Sequence, residues 1–339
     1  MGSAGLDMIG LLVTITAFAL ALGLCVIARW VGIAVGIVDR PSESELKIHT
    51  RPVSLLGGAA VVLGVLGALG AFQRMPPPLI VAATLVALGG GLVDDVHPLP
   101  PAPRVLVLAS SGVLLAWEVH PAVVGAIGVI LLVLACANAV NLLDGQDGLT
   151  GGLGVLAGFG LAAVSAALGV DVATDLSLAL AGALAGFLVW NRPTARIFLG
   201  NGGAYAVGVM LAAVSALIVV SSGWQGLLAS GMVLGIFVFE TCFTVARRLI
   251  ARDALTRGDR LHSYDLLAVR LGSRTRSTLV LWAVALAAAG MGALMAWLPV
   301  AADVLLTLIG ASAASAFGIV LWRGRRGSHG RAGPAISSA

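Results

Sequence analysis

Eleven apolar runs divide this chain, each near the length that crosses a bilayer, and they restrict its folding more than any other feature. They lie at 8–30, 55–73, 79–95, 104–119, 121–138, 152–170, 176–190, 203–221, 224–246, 277–297 and 300–322. The chain has 339 residues, 59% of them hydrophobic and 11% charged, with a mean hydropathy of +1.04. A water-soluble exterior needs more charge than that, which excludes an ordinary soluble enzyme. The expected fold is therefore all-α, a polytopic integral membrane protein with about 10–11 transmembrane helices. No repeat of about 20–50 residues breaks the pattern. Met1 to Ile9 carries no Lys or Arg, so a cleaved signal peptide is not expected. Cys25, Cys136 and Cys242 lie in apolar runs without metal-like spacing and read as buried free thiols.

The basic residues orient these spans. With the N-terminus outside, the inside segments hold every Lys and Arg but three. Arg29 and Arg104 lie near that same side, and Arg74 alone falls in an outside segment. The C-terminus is then inside, on the cytoplasmic face. One domain, 1–322, is expected, with cytoplasmic loops 31–54, 96–103, 139–151, 191–202 and 247–276. A basic tail, 323–339, follows and is expected to be disordered.

Every polar cluster falls on that same face. The densest runs Asn138-Ala139-Val140-Asn141-Leu142-Leu143-Asp144-Gly145-Gln146-Asp147-Gly148. Asn138 and Asn141 are three apart and share a face if helical. The Asp-Gly steps favour a turn that brings both carboxylates round the helix end. Polar groups at the edge of hydrocarbon are costly, so the cluster points to a site.

Asp94-Asp95 ends the third span, where two like charges oppose a helix dipole unless a cation or donor is near. Phe198 to Tyr205 is Gly-rich and opens a helix, with Arg192 and Arg196 beside it, a setting for an anion. Loop 247–276 carries eight arginines around Asp259-Arg260-Leu261-His262, and Glu240 lies inside the ninth span. Acids and amides suit a hard cation, and arginines suit phosphates. In a lipid setting, that combination points to phosphoryl transfer.

On these residues the chain resembles the polyprenyl-phosphate N-acetylhexosamine-1-phosphate transferases. The matching pieces run in order over about 39–270. They are Lys47 to Pro52 with Gly57-Gly58, Asp94-Asp95 with Leu99, Asn138 to Leu149, then Asn191, Ala195, Ile197-Phe198 and Gly200, Arg247-Arg248, and Asp259-Arg260 with His262. The resemblance implies transfer of a hexosamine-1-phosphate, GlcNAc-1-phosphate foremost, from a UDP-N-acetylhexosamine to a polyprenyl phosphate, releasing UMP. It places Asp94 and Asp95 as catalytic residues. Lys47, Arg104, Asn138, Asp144, Asp147, Asn191, Arg196, Arg260 and His262 become substrate-binding. Asn141 and Asn201 become ligands to Mg²⁺ (or Mn²⁺). The implied setting is the cytoplasmic face of a bacterial plasma membrane, with membrane lipid around the protein, no nucleic acid as partner, and self-association as a homodimer left open. Three positions depart from the pattern: Asn201 stands for an aspartate, Glu240 for another, and His262 alone remains of a histidine cluster. The alternative these departures raise is a catalytically impaired paralogue that binds lipid phosphate or nucleotide sugar.

Overall fold

Hydrocarbon offers the backbone no hydrogen-bond partner, so each apolar run must close its own ladder as a helix. The computed structural model describes residues 3–41, 51–119, 122–252 and 261–325, with side chains described from Met8 to Trp322. Lys47 and Arg260 lie outside the described residues. The helices are α1 (Ser3–Val35), α2 (Gly57–Ala71), α3 (Pro78–Val96), α4 (Pro101–Val119), α5 (Val123–Leu143) and α6 (Leu149–Ala167). They continue with α7 (Asp171–Asn191), α8 (Gly200–Val233), α9 (Gly235–Ala251), α10 (Ser263–Leu271), α11 (Arg274–Met295) and α12 (Val300–Arg325). Two short strands, β1 (Val38–Asp39) and β2 (Val53–Ser54), pair antiparallel between α1 and α2.

The core centres on α8. The buried share of the span is 83% for α8 and 6% for α12, so α8 is the central post and α12 lies at the rim. Small residues let neighbouring backbones close on α8. A Cβ on Gly58 would overlap Gly203, one on Gly91 would meet the Gly202 Cα at 2.5 Å, and one on Gly208 would overlap Ala137. Backbones of α2, α3 and α5 therefore touch α8 directly, and the polar ends of α3 and α5 meet its first turn.

Nine described helices are long and apolar enough to cross a membrane, which is fewer than the apolar runs suggest. Two features account for the difference. The 15-residue α2 extends only about 22 Å at the helical rise. The run 224–246 is not one helix. Gly223 takes φ 58°, ψ −134°, a conformation open essentially to glycine. Residues 218 and 226 would be about 12 Å apart in a straight helix. Instead, a Cβ on Gly226 would lie 2.8 Å from the Ile218 carbonyl oxygen. The chain turns back at Gly223, and its return path breaks again at Leu234 before α9 begins.

Other boundaries shift by a few residues. Helix α12 includes Arg323 to Arg325, so the expected tail begins as helix. Cys25 and Cys136 are buried, but Cys242 is exposed, because it lies on the outward face of α9.

A candidate active site where α3, α5 and α8 meet

The acid pair at the end of α3 is divided between two tasks. Consecutive residues on a helix point about 100° apart, and the two carboxylates find different partners. Asp95 turns to the first turn of α8. Its Oδ1 accepts from the Asn201 backbone N–H (2.8 Å) and its Oδ2 from Gly202 N–H (3.1 Å). Those are orphan donors at a helix N-terminus, where the dipole favours an anion. Gly200 makes the approach feasible. Its φ is +75°, and a Cβ there would stand 2.7 Å from Asp95 Oδ2.

Asp94 is closed to solvent. Its Oδ1 accepts from Leu99 N–H (2.7 Å) and pairs with Arg104 Nη2 (3.0 Å), while Oδ2 accepts from the Tyr205 hydroxyl (3.1 Å). Arg104 is 41% exposed, so its guanidinium spans from the buried acid to the surface. The acid pair thus spends much of its hydrogen-bonding capacity inside the protein.

At the end of α5, Asn141 donates from Nδ2 to Asn201 Oδ1 (2.7 Å), joining the two amides. Asn138 is exposed and bonds back to the Leu134 carbonyl (2.7 Å). Asp144 caps α5. Burial pushes its carboxyl well above the usual range, and the neighbouring charges of Asp95 and then Asp147 add to the effect. Asp147 Oδ2 accepts from Ala195 N–H (2.9 Å), drawing the turn onto the loop after α7. Asn191 is buried and uses both ends of its amide internally. Gly148 N–H donates to its Oδ1, and its Nδ2 donates to the Ile197 carbonyl, each at 3.0 Å. It fastens two loops together and leaves little of its amide for a ligand. Ser54 completes the frame, its carbonyl accepting from Phe198 N–H (2.9 Å).

His262 belongs to a second station. Its Nδ1 lies 2.8 Å from Glu240 Oε1, which also accepts from Thr244 Oγ1 (3.0 Å). Glu240 Oε2 accepts from the Ser263 N–H (3.3 Å) and from the Ser263 hydroxyl. The imidazole stacks on Tyr264, with ring centroids 5.4 Å apart and planes within 4°. The Tyr264 hydroxyl packs on Gly145, where a Cβ would overlap it. The station is therefore attached to the turn that carries Asp144 and Asp147. Arg196 is exposed and sits over the Trp190 ring, 5.8 Å from its centroid. With Arg192, Pro193 and Thr194 it lines a surface pocket of about 410 Å³.

Three residues join these groups that the sequence patterns passed over. Tyr205 stands in the sequence only as the end of the Gly-rich stretch, and Tyr264 follows His262 without a motif of its own. Asp39, delivered by β1, lies close enough to Asp95 for their charges to interact. An acid directly after the first span, before a basic stretch, was the signal for Asp39.

No three His, Cys, Asp or Glu side chains converge as a metal cage among the described residues. The donor set nevertheless fits a hard cation. The amides of Asn141 and Asn201 are paired, Asp144 bonds the Gly200 backbone next to Asn201, and its repulsion by Asp95 and Asp147 marks an excess of negative charge.

The fold is that of an integral membrane protein, a helical bundle with acids, amides and an arginine gathered at one end. Residues 77–219 match the family described as Glycosyl transferase family 4. The chain is 26% identical over 283 residues to the probable undecaprenyl-phosphate N-acetylglucosaminyl 1-phosphate transferase of Bacillus subtilis, covering 76% of this chain and 77% of that protein. It is 32% identical over 225 residues to the decaprenyl-phosphate N-acetylglucosaminephosphotransferase of Mycobacterium tuberculosis, 55% of each chain. A Thermotoga maritima relative, undecaprenyl-phosphate alpha-N-acetylglucosaminyl 1-phosphate transferase, is 27% identical over 69% of this chain and 74% of its own. Over these spans the chain is similar to the polyprenyl-phosphate hexosamine-1-phosphate transferases.

Proposed function

We propose that this protein transfers N-acetylhexosamine-1-phosphate, with GlcNAc-1-phosphate as first choice, from a UDP-sugar to a polyprenyl phosphate, releasing UMP. One observation carries the reading. Asp95 of α3 is locked onto the first turn of α8 beside the Asn141–Asn201 amide pair, with Asp94 next to it paired to Arg104, inside a membrane bundle. An acceptor phosphate oxygen forms a bond to the phosphorus bearing the sugar. The bond from that phosphorus to the bridging oxygen breaks, and UMP leaves with the electron pair.

A phosphomonoester has a second pKa of about 6, so the acceptor is mostly dianionic at neutral pH. It needs little help from a general base. Asp94, committed to Arg104 and Tyr205, serves by placing the guanidinium where it offsets acceptor charge. Asp95 sets the first turn of α8 and so the position of Asn201. His262 and Arg260 are suited to the donor pyrophosphate. Mg²⁺ (or Mn²⁺), held by Asn141 and Asn201 with Asp144 beside them, would supply charge neutralisation on that pyrophosphate.

The arginine distribution supports a site on the cytoplasmic face of a bacterial plasma membrane. Thr194→Cys, in a chain whose Cys242 is Ser, should resist an impermeant thiol reagent in intact cells. Labelling from outside would invert the topology. The impaired-paralogue alternative is not favoured, since the relatives are named as transferases. The direct test is the purified protein with decaprenyl phosphate, Mg²⁺ and a panel of UDP-sugars, read by mass spectrometry. A lipid-linked pyrophosphoryl sugar and UMP are expected. No product with any donor would reject the assignment.

A further inference from the structure

Tyr205 reaches the acid pair from below. It stands four residues after Asn201 on α8, so both project from the same helical face. Helical side chains lean toward the N-terminus, which carries the phenol up to the end of α3. The contact between Gly91 and Gly202 brings the two helices close enough for its hydroxyl to meet Asp94 Oδ2 at 3.1 Å.

Packing does not require this hydroxyl. Tyr205 is 3% exposed on a helix otherwise lined here with Gly, Ala and Val. Burying an O–H without a partner is costly, and Asp94 is the acceptor that satisfies it. The carboxylate gains in return. Its Oδ1 is occupied by Leu99 N–H and Arg104, so the phenol fills the side left over and fixes a torsion that is otherwise soft. Of the three side chains, only Arg104 extends outward. Its Nε is buried without a partner among the described residues, a donor whose chemistry matches a phosphate oxygen.

We propose that Tyr205 is a positioning residue for the transfer: its hydroxyl fixes the Asp94 carboxylate, which holds the Arg104 guanidinium against the acceptor's phosphate. The proposal rests on the transferase reading and extends it to a residue that never touches substrate. Tyr205→Phe keeps the ring and its packing and removes one oxygen. A hydrogen bond to a charged group lost in this way corresponds to about a tenfold effect.

The experiment uses the full-length protein in detergent, and reads kcat, KM for both substrates, and direct binding of decaprenyl phosphate by intrinsic fluorescence. Tyr205→Phe should lower kcat about tenfold and weaken decaprenyl phosphate binding similarly, with KM for the UDP-sugar changed by no more than about twofold. The same substitution in an Asp94→Asn background, or in Arg104→Gln should Asp94→Asn not fold, should produce no further loss of lipid-phosphate binding. Wild-type kcat and affinity in Tyr205→Phe would overturn the proposal, and so would an equal penalty in both backgrounds. A parallel rise in KM for the donor would make Tyr205 a packing residue only. If the wild-type protein turns over no donor at all, the transferase reading fails, while the binding cycle still decides whether Tyr205 acts through Asp94.

Discussion

Two carboxylates in this protein do the same thing for different helices. Asp95 receives two backbone donors that open α8, and Glu240 receives the one at the first residue of α10. In both cases an acid on one helix stabilises the start of another. The surroundings differ. Asp95 is half-buried, has Asp94, Asp39 and Asp144 within range of its charge, and looks onto the Asn141–Asn201 pair. Glu240 is fully buried, and its partners are hydroxyls, a backbone N–H and an imidazole. The Asp95 region concentrates negative charge and stays open. The Glu240 region absorbs its own charge and is closed. A site that must gather a cation and anionic substrates needs the first arrangement, and a strut that fixes His262 and Tyr264 needs the second.

The sharpest way to break this comparison is to neutralise both acids in turn. Asp95→Asn places an NH₂ against a backbone N–H that requires an acceptor, and removes charge at the site. Turnover should fall by about a hundredfold or more, while the thermal midpoint moves less than in the Glu240 variant, since Asp95 is half-buried and water can replace part of the lost acceptor. Glu240→Gln should do the reverse. It leaves donors in a closed network short of an acceptor, at a cost of about 1–3 kcal/mol. The thermal midpoint should drop clearly, with turnover reduced about tenfold through a loosened His262. Equal loss of turnover in both variants, with neither midpoint shifted, would show that Glu240 also belongs to the reacting site.

The same contrast explains what was legible in the sequence. Asp94-Asp95 and the Asn138 to Asp147 cluster stood out because charge and amide at the end of an apolar run have no cheap structural use. The helical framework stood out for the same reason, since lipid permits so little else. Roles were harder to read than positions. Asn191 looks like a polar group offered to a ligand, yet both ends of its amide are used inside. Tyr205 and Tyr264 look like aromatic filler, yet each sets its hydroxyl against a polar motif. Such pairings join positions more than a hundred residues apart, and only the packed bundle reveals them. The turn at Gly223 falls between the apolar runs 203–221 and 224–246, but the break at Leu234 was hidden because apolar residues continue on both sides of it.

The crowding around Asp95 also predicts a pH dependence centred on Asp144. Asp144 has its carboxyl pushed up by burial and by the charges of Asp95 and Asp147. A group raised above its unfolded value binds its proton more tightly in the folded state, so it favours folding at low pH and loses that contribution as pH rises through its folded pKa. In metal-free protein, the thermal midpoint should therefore increase as pH falls from neutral toward the ordinary carboxylate range. Asp144→Asn should flatten that slope, and added Mg²⁺ should flatten it in the wild type. A slope unaffected by Asp144→Asn would assign the charge excess to other groups.

The smallest expected effect comes from Asn201, where the open region carries an amide and not a further acid. Hard cations prefer carboxylate to amide oxygen, and affinity follows the charge of the ligand set. A site built on Asn141 and Asn201 should bind Mg²⁺ weakly until a donor pyrophosphate adds anionic oxygen. Asn201→Asp keeps the shape and adds one charge next to Asp95. It should lower the Mg²⁺ concentration for half-maximal rate by a few-fold, a change of about 1 kcal/mol or less. Without metal, the added repulsion should depress the thermal midpoint slightly, and saturating Mg²⁺ should restore it, because an ion that binds only the folded state stabilises it by mass action. The two readouts separate the explanations. A lower midpoint that Mg²⁺ does not restore, with unchanged metal dependence of the rate, would mean that Asn201 serves only as the partner of Asn141 and that the cation sits elsewhere among Asp144, Asp147 and Asp95.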